Sequence, residues 1–143
     1  MAGHSRSAWR WLAVVVLAHL VISIVHGTAH MQAQVPMSLA ANLFVFIVIL
    51  AGPVAGLAWT WVSDRAGSWV VAVAMAASFV FGVVNHFLIA GPDHVAHVAE
   101  RSRALFATTA VLVAITEVLG CVLAVRVARR KVASALDPKP GQV

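Results

Sequence analysis

Apolar and polar positions alternate along this chain on the scale of whole helices. Four apolar blocks, at about 9–28, 39–62, 69–90 and 104–127, each approach the roughly 20 residues that a helix needs to cross a hydrocarbon core. Short polar connections separate them, so the pattern predicts an all-α, polytopic membrane protein: an up-and-down bundle of four transmembrane helices occupying 1–131. The remaining segment, 132–143, contains Pro138, Pro140 and Gly141 and is expected to be a disordered cytoplasmic tail. Arg6 and Arg10 precede the first block as in a secretory signal. That block is longer than the 7 to 15 residues of a signal's apolar region and carries His19 at its middle, which predicts a retained helix.

Composition agrees with this division. The 143 residues are 62% hydrophobic and 10% charged, with a mean hydropathy of +0.93, against about 25% charged residues in an ordinary soluble domain. The basic residues flank the apolar blocks and form no soluble basic face, so the formal charge of +5 fits anionic lipid headgroups and gives no reason to expect nucleic acid. Orientation follows from Lys and Arg, which stay preferentially in the cytoplasm. Arg6, Arg10, Arg65, Arg126, Arg129, Arg130, Lys131 and Lys139 share one side, leaving Arg101 and Arg103 on the other. Trp9, Trp11, Trp59, Trp61 and Trp69 fall at the same interface as the larger basic group, as indole rings prefer. Both termini are therefore expected to be cytoplasmic, in a multi-pass protein of the inner membrane. The long Ala and Val runs suggest a bacterial source.

Function in such a chain is sought among the few polar groups that lipid should exclude. With a rise of about 1.5 Å per residue, His26, Asn42, His86 and Thr108 or Thr109 all come to about 25 Å from the cytoplasmic ends of their helices. All four helices thus contribute polar atoms to one layer near the outer face. His19 and Glu117 come to about 15 Å by the same rise and are expected to meet near the midplane as a structural or proton-carrying pair. At a similar depth Gly52 and Pro53 predict a kink, because proline frees a carbonyl one turn earlier. His19, Ser23, His26 and His30 follow i, i+4, i+7, i+11 spacing and form one stripe. Ser78, Gly82 and Asn85 or His86 form another on the third helix, and Thr109, Thr116 and Gly120 a third on the fourth.

Six of the seven histidines, all but His4, lie on the first and third helices or the connection after the third. His26 and His30 are one turn apart, and beyond Gly91 and Pro92 come Asp93, His94 and His97 in D-H-x-x-H order. Together with His86 these are the candidate metal ligands of a His-rich site on the outer, periplasmic side. Met31 and Met37, in the outer connection, are candidate thioether donors. Imidazole and carboxylate suit Zn, Cu, Ni or Fe, with copper favoured if methionine joins. The one cysteine, Cys121, makes a thiolate cage within one chain impossible.

Three functions fit these features. The first is metal transport, delivery or sensing, with His19 and Glu117 as a deeper relay and Asn42 as a further intramembrane polar residue. The second is a haem b redox module with His26 and His86 as axial ligands. The third is a non-catalytic subunit of a homo-oligomer or larger membrane complex, its polar layer merely fixing helix register through hydrogen bonds. No nucleophile, base and acid arrangement is visible, which gives no ground for assigning catalysis.

Overall fold

The computed structural model describes Ala2–Leu136, with side chains described from Ser7 to Arg129. It is all-helical. Helix α1 covers Ala2–Ala33, and the second span is built from α2 (Leu39–Phe44), a π-helical segment (Val45–Ala51) and α3 (Gly52–Trp59). The third span is α4 (Asp64–Val83) continued by a π-helical turn (Val84–Leu88), and the fourth is α5 (Glu100–Leu136). Four stretches, Ser7–Ala33, Leu39–Trp59, Asp64–Leu88 and Glu100–Arg129, are long and apolar enough to cross a membrane.

These boundaries revise the expected ones in two places. Helix α1 runs past Thr28 to Ala33, so Met31 sits on the helix and not in the connection. It ends where Gln34 turns to φ 53 and Val35 N–H closes onto the His30 carbonyl at 3.2 Å, a left-handed C-terminal cap. Helix α5 continues to Leu136, beyond position 131 where the helical domain was expected to give way to a disordered tail. Asp137–Val143, Lys139 among them, lie outside the described residues.

Capping residues start two of the spans. Ser38 accepts a hydrogen bond from Ala41 N–H at 3.1 Å and Ser63 one from Ala66 N–H at 3.3 Å, satisfying amides that a helix start leaves without partners. The second span packs on α4, α4 on α5, and α5 on α1, while the second span touches α1 little. Helices α1 and α5 run antiparallel, with His19 beside Thr116 and His26 beside Thr109. Both pairs step by seven residues, the near-parallel crossing geometry of helix bundles.

At the end bearing most tryptophans, packing is close. Trp9 Nε1–H donates to Thr60 Oγ1 at 2.9 Å, joining the start of α1 to the end of α3. A Cβ added at Gly67 would lie 2.6 Å from the Gly56 carbonyl oxygen, and one at Gly56 would lie 2.8 Å from Val71 N. Only glycine permits α3 and α4 to approach so closely. Beside this contact Leu12, Val16, Val71, Ala72, Met75 and Ala124 form a fully packed cluster. On the outward face of α1, Val14, Leu17, Val21 and Ile24 are each more than half exposed, opposite the His19 stripe, as a lipid-facing surface requires.

Candidate metal centre

Three of the predicted ligands come together. His26 and His30, one turn apart on α1, face His86 from the third span, and all three residues are buried. His26 Nε2 lies 3.2 Å from His86 Nε2 and 3.2 Å from His30 Nε2. The three form a compact group of potential ligand atoms. The π-helical turn Val84–Leu88 settles which of Asn85 and His86 faces inward. His86 is buried, whereas Asn85 folds back to donate to the Phe81 carbonyl at 2.8 Å. Widened turns of this kind concentrate at functional sites, because they re-aim a side chain without breaking the helix.

The second ring nitrogens fix the tautomers of two of these histidines, as assigned from their partners. Thr109 Oγ1 lies within donating distance of the Leu105 carbonyl at 2.7 Å and the Phe106 carbonyl at 3.1 Å. Its hydroxyl hydrogen is thus engaged, and it accepts from His26 Nδ1–H at 2.8 Å. His86 Nδ1 lies 3.1 Å from the Asp93 main-chain carbonyl and 3.3 Å from Asp93 Oδ1, both of which only accept when the carboxyl is ionised. His26 and His86 therefore each carry hydrogen on Nδ1 and, as neutral rings, point a bare Nε2 lone pair at the other. Two neutral acceptors at 3.2 Å repel unless a cation or a proton lies between them. Tetrahedral coordination with metal–imidazole bonds of about 2.05 Å puts neighbouring nitrogens about 3.3 Å apart, close to the separations seen here.

Asp93 serves as the partner to this group. Its Oδ1 also lies 3.4 Å from His30 Nε2. Burial pushes its carboxyl up, but the hydrogen bond from His86 and the positive charge that the neighbouring imidazoles carry when protonated outweigh burial and hold it below its ordinary value. A carboxylate on the far nitrogen of a ligating histidine orients the ring and raises its basicity.

Phe106, which sequence reasoning did not single out, completes the chamber. Its ring, fully buried, lies 5.0, 4.8 and 5.2 Å from the rings of His26, His30 and His86. The signal was its place one turn before Thr109 on the same face of α5. Val98, in the connection between the third and fourth spans, packs with Ala29 and Phe106 over this end of the site.

Other predicted residues are placed elsewhere. His94 Nδ1 accepts from Ala96 N–H at 3.1 Å and its Nε2 faces the Phe87 carbonyl, while His97 Nδ1 donates to the Gly91 carbonyl at 2.7 Å. These bonds shape the loop between the third and fourth spans, and neither histidine joins the three-histidine group. Asn42 donates to the Met37 and Ser38 carbonyls at the start of its own helix. Thr108 is exposed, so Thr109 alone supplies the fourth helix's hydroxyl to the layer.

The deeper pair is corrected as well. His19 and Glu117 form no ion pair among the described residues. His19 Nε2–H donates to the Ile49 carbonyl at 3.1 Å and its Nδ1 lies 3.2 Å from Thr116 Oγ1. Ile49 stands four residues before Pro53, so its carbonyl is the one that proline leaves without an α-helical donor, and the imidazole fills that vacancy. Glu117, 1% exposed, has Oε1 fully enclosed with no hydrogen-bond partner. It lines a cavity of about 560 Å³ that reaches from the three histidines along α1 and the second span.

No protein-family model, curated protein or solved structure matches this chain.

Proposed function

We propose that this chain is a multi-pass protein of a bacterial inner membrane, with both termini cytoplasmic, that holds one transition metal ion near the outer side for delivery or sensing. His26, His30 and His86 are the ligands through Nε2, and Asp93 orients His86. The observation that carries this reading is the clustering of three buried imidazoles, with His26 Nε2 facing His86 Nε2 at 3.2 Å and His30 Nε2 at the same distance. Three neutral imidazoles suit Zn, Cu, Ni or Fe, and the thioethers of Met31 and Met37, which line the adjoining cavity, favour copper.

A small ion fits this chamber better than haem b does. Axial imidazoles on one iron stand about 4 Å apart, twice a metal–nitrogen bond of about 2 Å, with the macrocycle between them. Here the nitrogens are closer, and His30 and Phe106 occupy the space that the ring system needs. Delivery or sensing is favoured over conduction through one copy because the packed cluster around Leu12, Val71 and Met75 lies between the chamber and the opposite end.

Metal content and the visible spectrum of the detergent-purified protein test this reading against a His26→Ala, His86→Ala double variant. One equivalent of metal, lost in the variant, is the expected result. A Soret band would transfer the site to haem. A wild type that stays metal-free after incubation with Zn, Cu, Ni and Fe(II) would leave the histidines as a structural layer in a membrane-complex subunit.

A further inference from the structure

The end of the cavity away from the histidines holds a feature that metal binding leaves unused. Glu117 is 1% exposed, its Oε1 has no hydrogen-bond partner, and it lines the cavity wall. It lies eight residues beyond Thr109 on α5, about 12 Å along the helix axis from the level of His26. A carboxyl group at this depth requires either a proton or a cationic partner. Ionisable groups around it are the Cys121 thiol one turn along α5, His19, in the adjacent layer against Thr116, and the three histidines at the other end of the cavity with Asp93. His19 spends its nitrogens on Thr116 and the Ile49 carbonyl.

The surroundings of Glu117 are unlike those of a second metal. Ser78, which also lines the cavity, gives its hydroxyl hydrogen to the Ala74 carbonyl at 2.8 Å. Much of the remaining wall is hydrocarbon, including Ile49, Leu50 and Val113, with Ser23 adding a further hydroxyl. A divalent ion wants several ligands, whereas one acid among apolar side chains matches an ammonium group carried on an apolar body. The mouth agrees with such a ligand. Ile24 and Phe46 line the cavity and are 55% and 63% exposed. Both stand within stretches apolar enough to cross a membrane, on two neighbouring spans that touch each other less than the other neighbouring pairs do. A ligand dissolved in the bilayer can therefore enter between α1 and the second span.

We propose that this cavity is a binding site for a lipophilic organic ammonium ion, entering from the membrane between α1 and the second span, with the Glu117 carboxylate as counter-ion. The ammonium replaces whatever proton Glu117 carries, and that proton leaves to solvent; no covalent bond is made or broken in the ligand. The ammonium group is held at the end of the same cavity away from the histidines, and its binding does not depend on a metal being bound at the other end.

The test is equilibrium binding of 4-phenylbutylammonium and of neutral 4-phenylbutanol to the full chain in lipid nanodiscs. Wild type is expected to bind the ammonium and to favour it over the alcohol. Glu117→Gln is expected to weaken ammonium binding by roughly thirtyfold or more, the scale of losing one partner of a buried charge pair, and to leave the alcohol unchanged. Gly27→Leu supplies a second variant, because a Cβ at Gly27 meets nothing within 4 Å while Gly27 lines the cavity. It is expected to weaken both probes while helix content and elution remain those of wild type. Equal affinity for ammonium and alcohol, or an unchanged ammonium affinity in Glu117→Gln, would overturn the proposal. Loss of ammonium binding in His26→Ala with retention in Glu117→Gln would assign the probe to the histidine chamber and overturn it equally.

Discussion

The two ends of this bundle solve opposite problems. At the end where Trp9 bonds to Thr60, the helices are regular and approach through Gly56 and Gly67, and the space between α1, α4 and α5 is filled by Leu12, Val71 and Met75. Toward the other end both π-helical segments occur, polar side chains replace apolar ones, and a cavity of about 560 Å³ stays open. Helix regularity and close packing hold the spans together at one end. That lets the other end keep a widened turn, three clustered imidazoles and a lone carboxyl, features that weaken packing where they stand. Substitutions at the packed end should therefore change folding, and substitutions at the polar end should change binding.

The largest effect is expected at Gly67. Its neighbours are main-chain atoms of Gly56 and Trp59, which cannot swing aside as a side chain can. Gly67→Leu should separate α3 from α4 and cost about 3 kcal/mol, read as a fall in thermal midpoint and in folded yield. A variant as stable as wild type would show that this close approach is not what holds the packed end. Next in size is His26→Ala. It removes the nitrogen that faces both of the others and should lower metal affinity by roughly a hundredfold or more, its share of the binding energy of a multi-ligand site. Thermal stability of the metal-free variant should change little. A metal-free variant that unfolds instead would place His26 with Gly67 as a framework residue and erase the division between the ends.

Much of this division was legible before any coordinates. Block length and the charge of the connections were sufficient for four helices long enough to span, and helical rise alone put His26, His86 and Thr109 at one level, where they meet. Rise measures depth but not rotation. The two failures of the polar pattern are rotational: Glu117 was expected to meet His19, but the adjacent Thr116 takes that place, and Asn42 turns back onto its own helix. The π-helical turn at Val84–Leu88 decides between Asn85 and His86, and no residue type announces such a turn. Pro53 did announce a freed carbonyl. That its partner would be His19 required the packing of α1 beside the second span.

The remaining predictions divide the polar end itself. Asp93→Asn keeps the shape of the side chain but removes the charge that lies 3.3 Å from His86 Nδ1 and 3.4 Å from His30 Nε2. Metal affinity should fall by roughly tenfold, the lower range for partners of ligating histidines. A loss as large as that of His26→Ala would promote Asp93 from orienting partner to direct ligand.

The smallest effect is expected from His94→Ala combined with His97→Ala. Sequence spacing made these histidines as eligible as His26 and His30, and their ring centroids stand only 5.4 Å apart. Both His94 nitrogens and Nδ1 of His97, however, are spent on the main chain of their own loop: His94 accepts from Ala96 N–H and faces the Phe87 carbonyl, and His97 donates to the Gly91 carbonyl. Each such bond contributes about 1 kcal/mol, so the double variant should loosen the loop that carries Val98 over the chamber. Metal affinity should change by less than about threefold, which is under 1 kcal/mol by the usual conversion, while the rate of metal release should rise as the cover loosens. Titration and stopped-flow chelation measure the two separately. A fall in affinity comparable to that of Asp93→Asn would mean that the loop histidines enter the coordination sphere, and the chamber would then need five imidazoles in place of three.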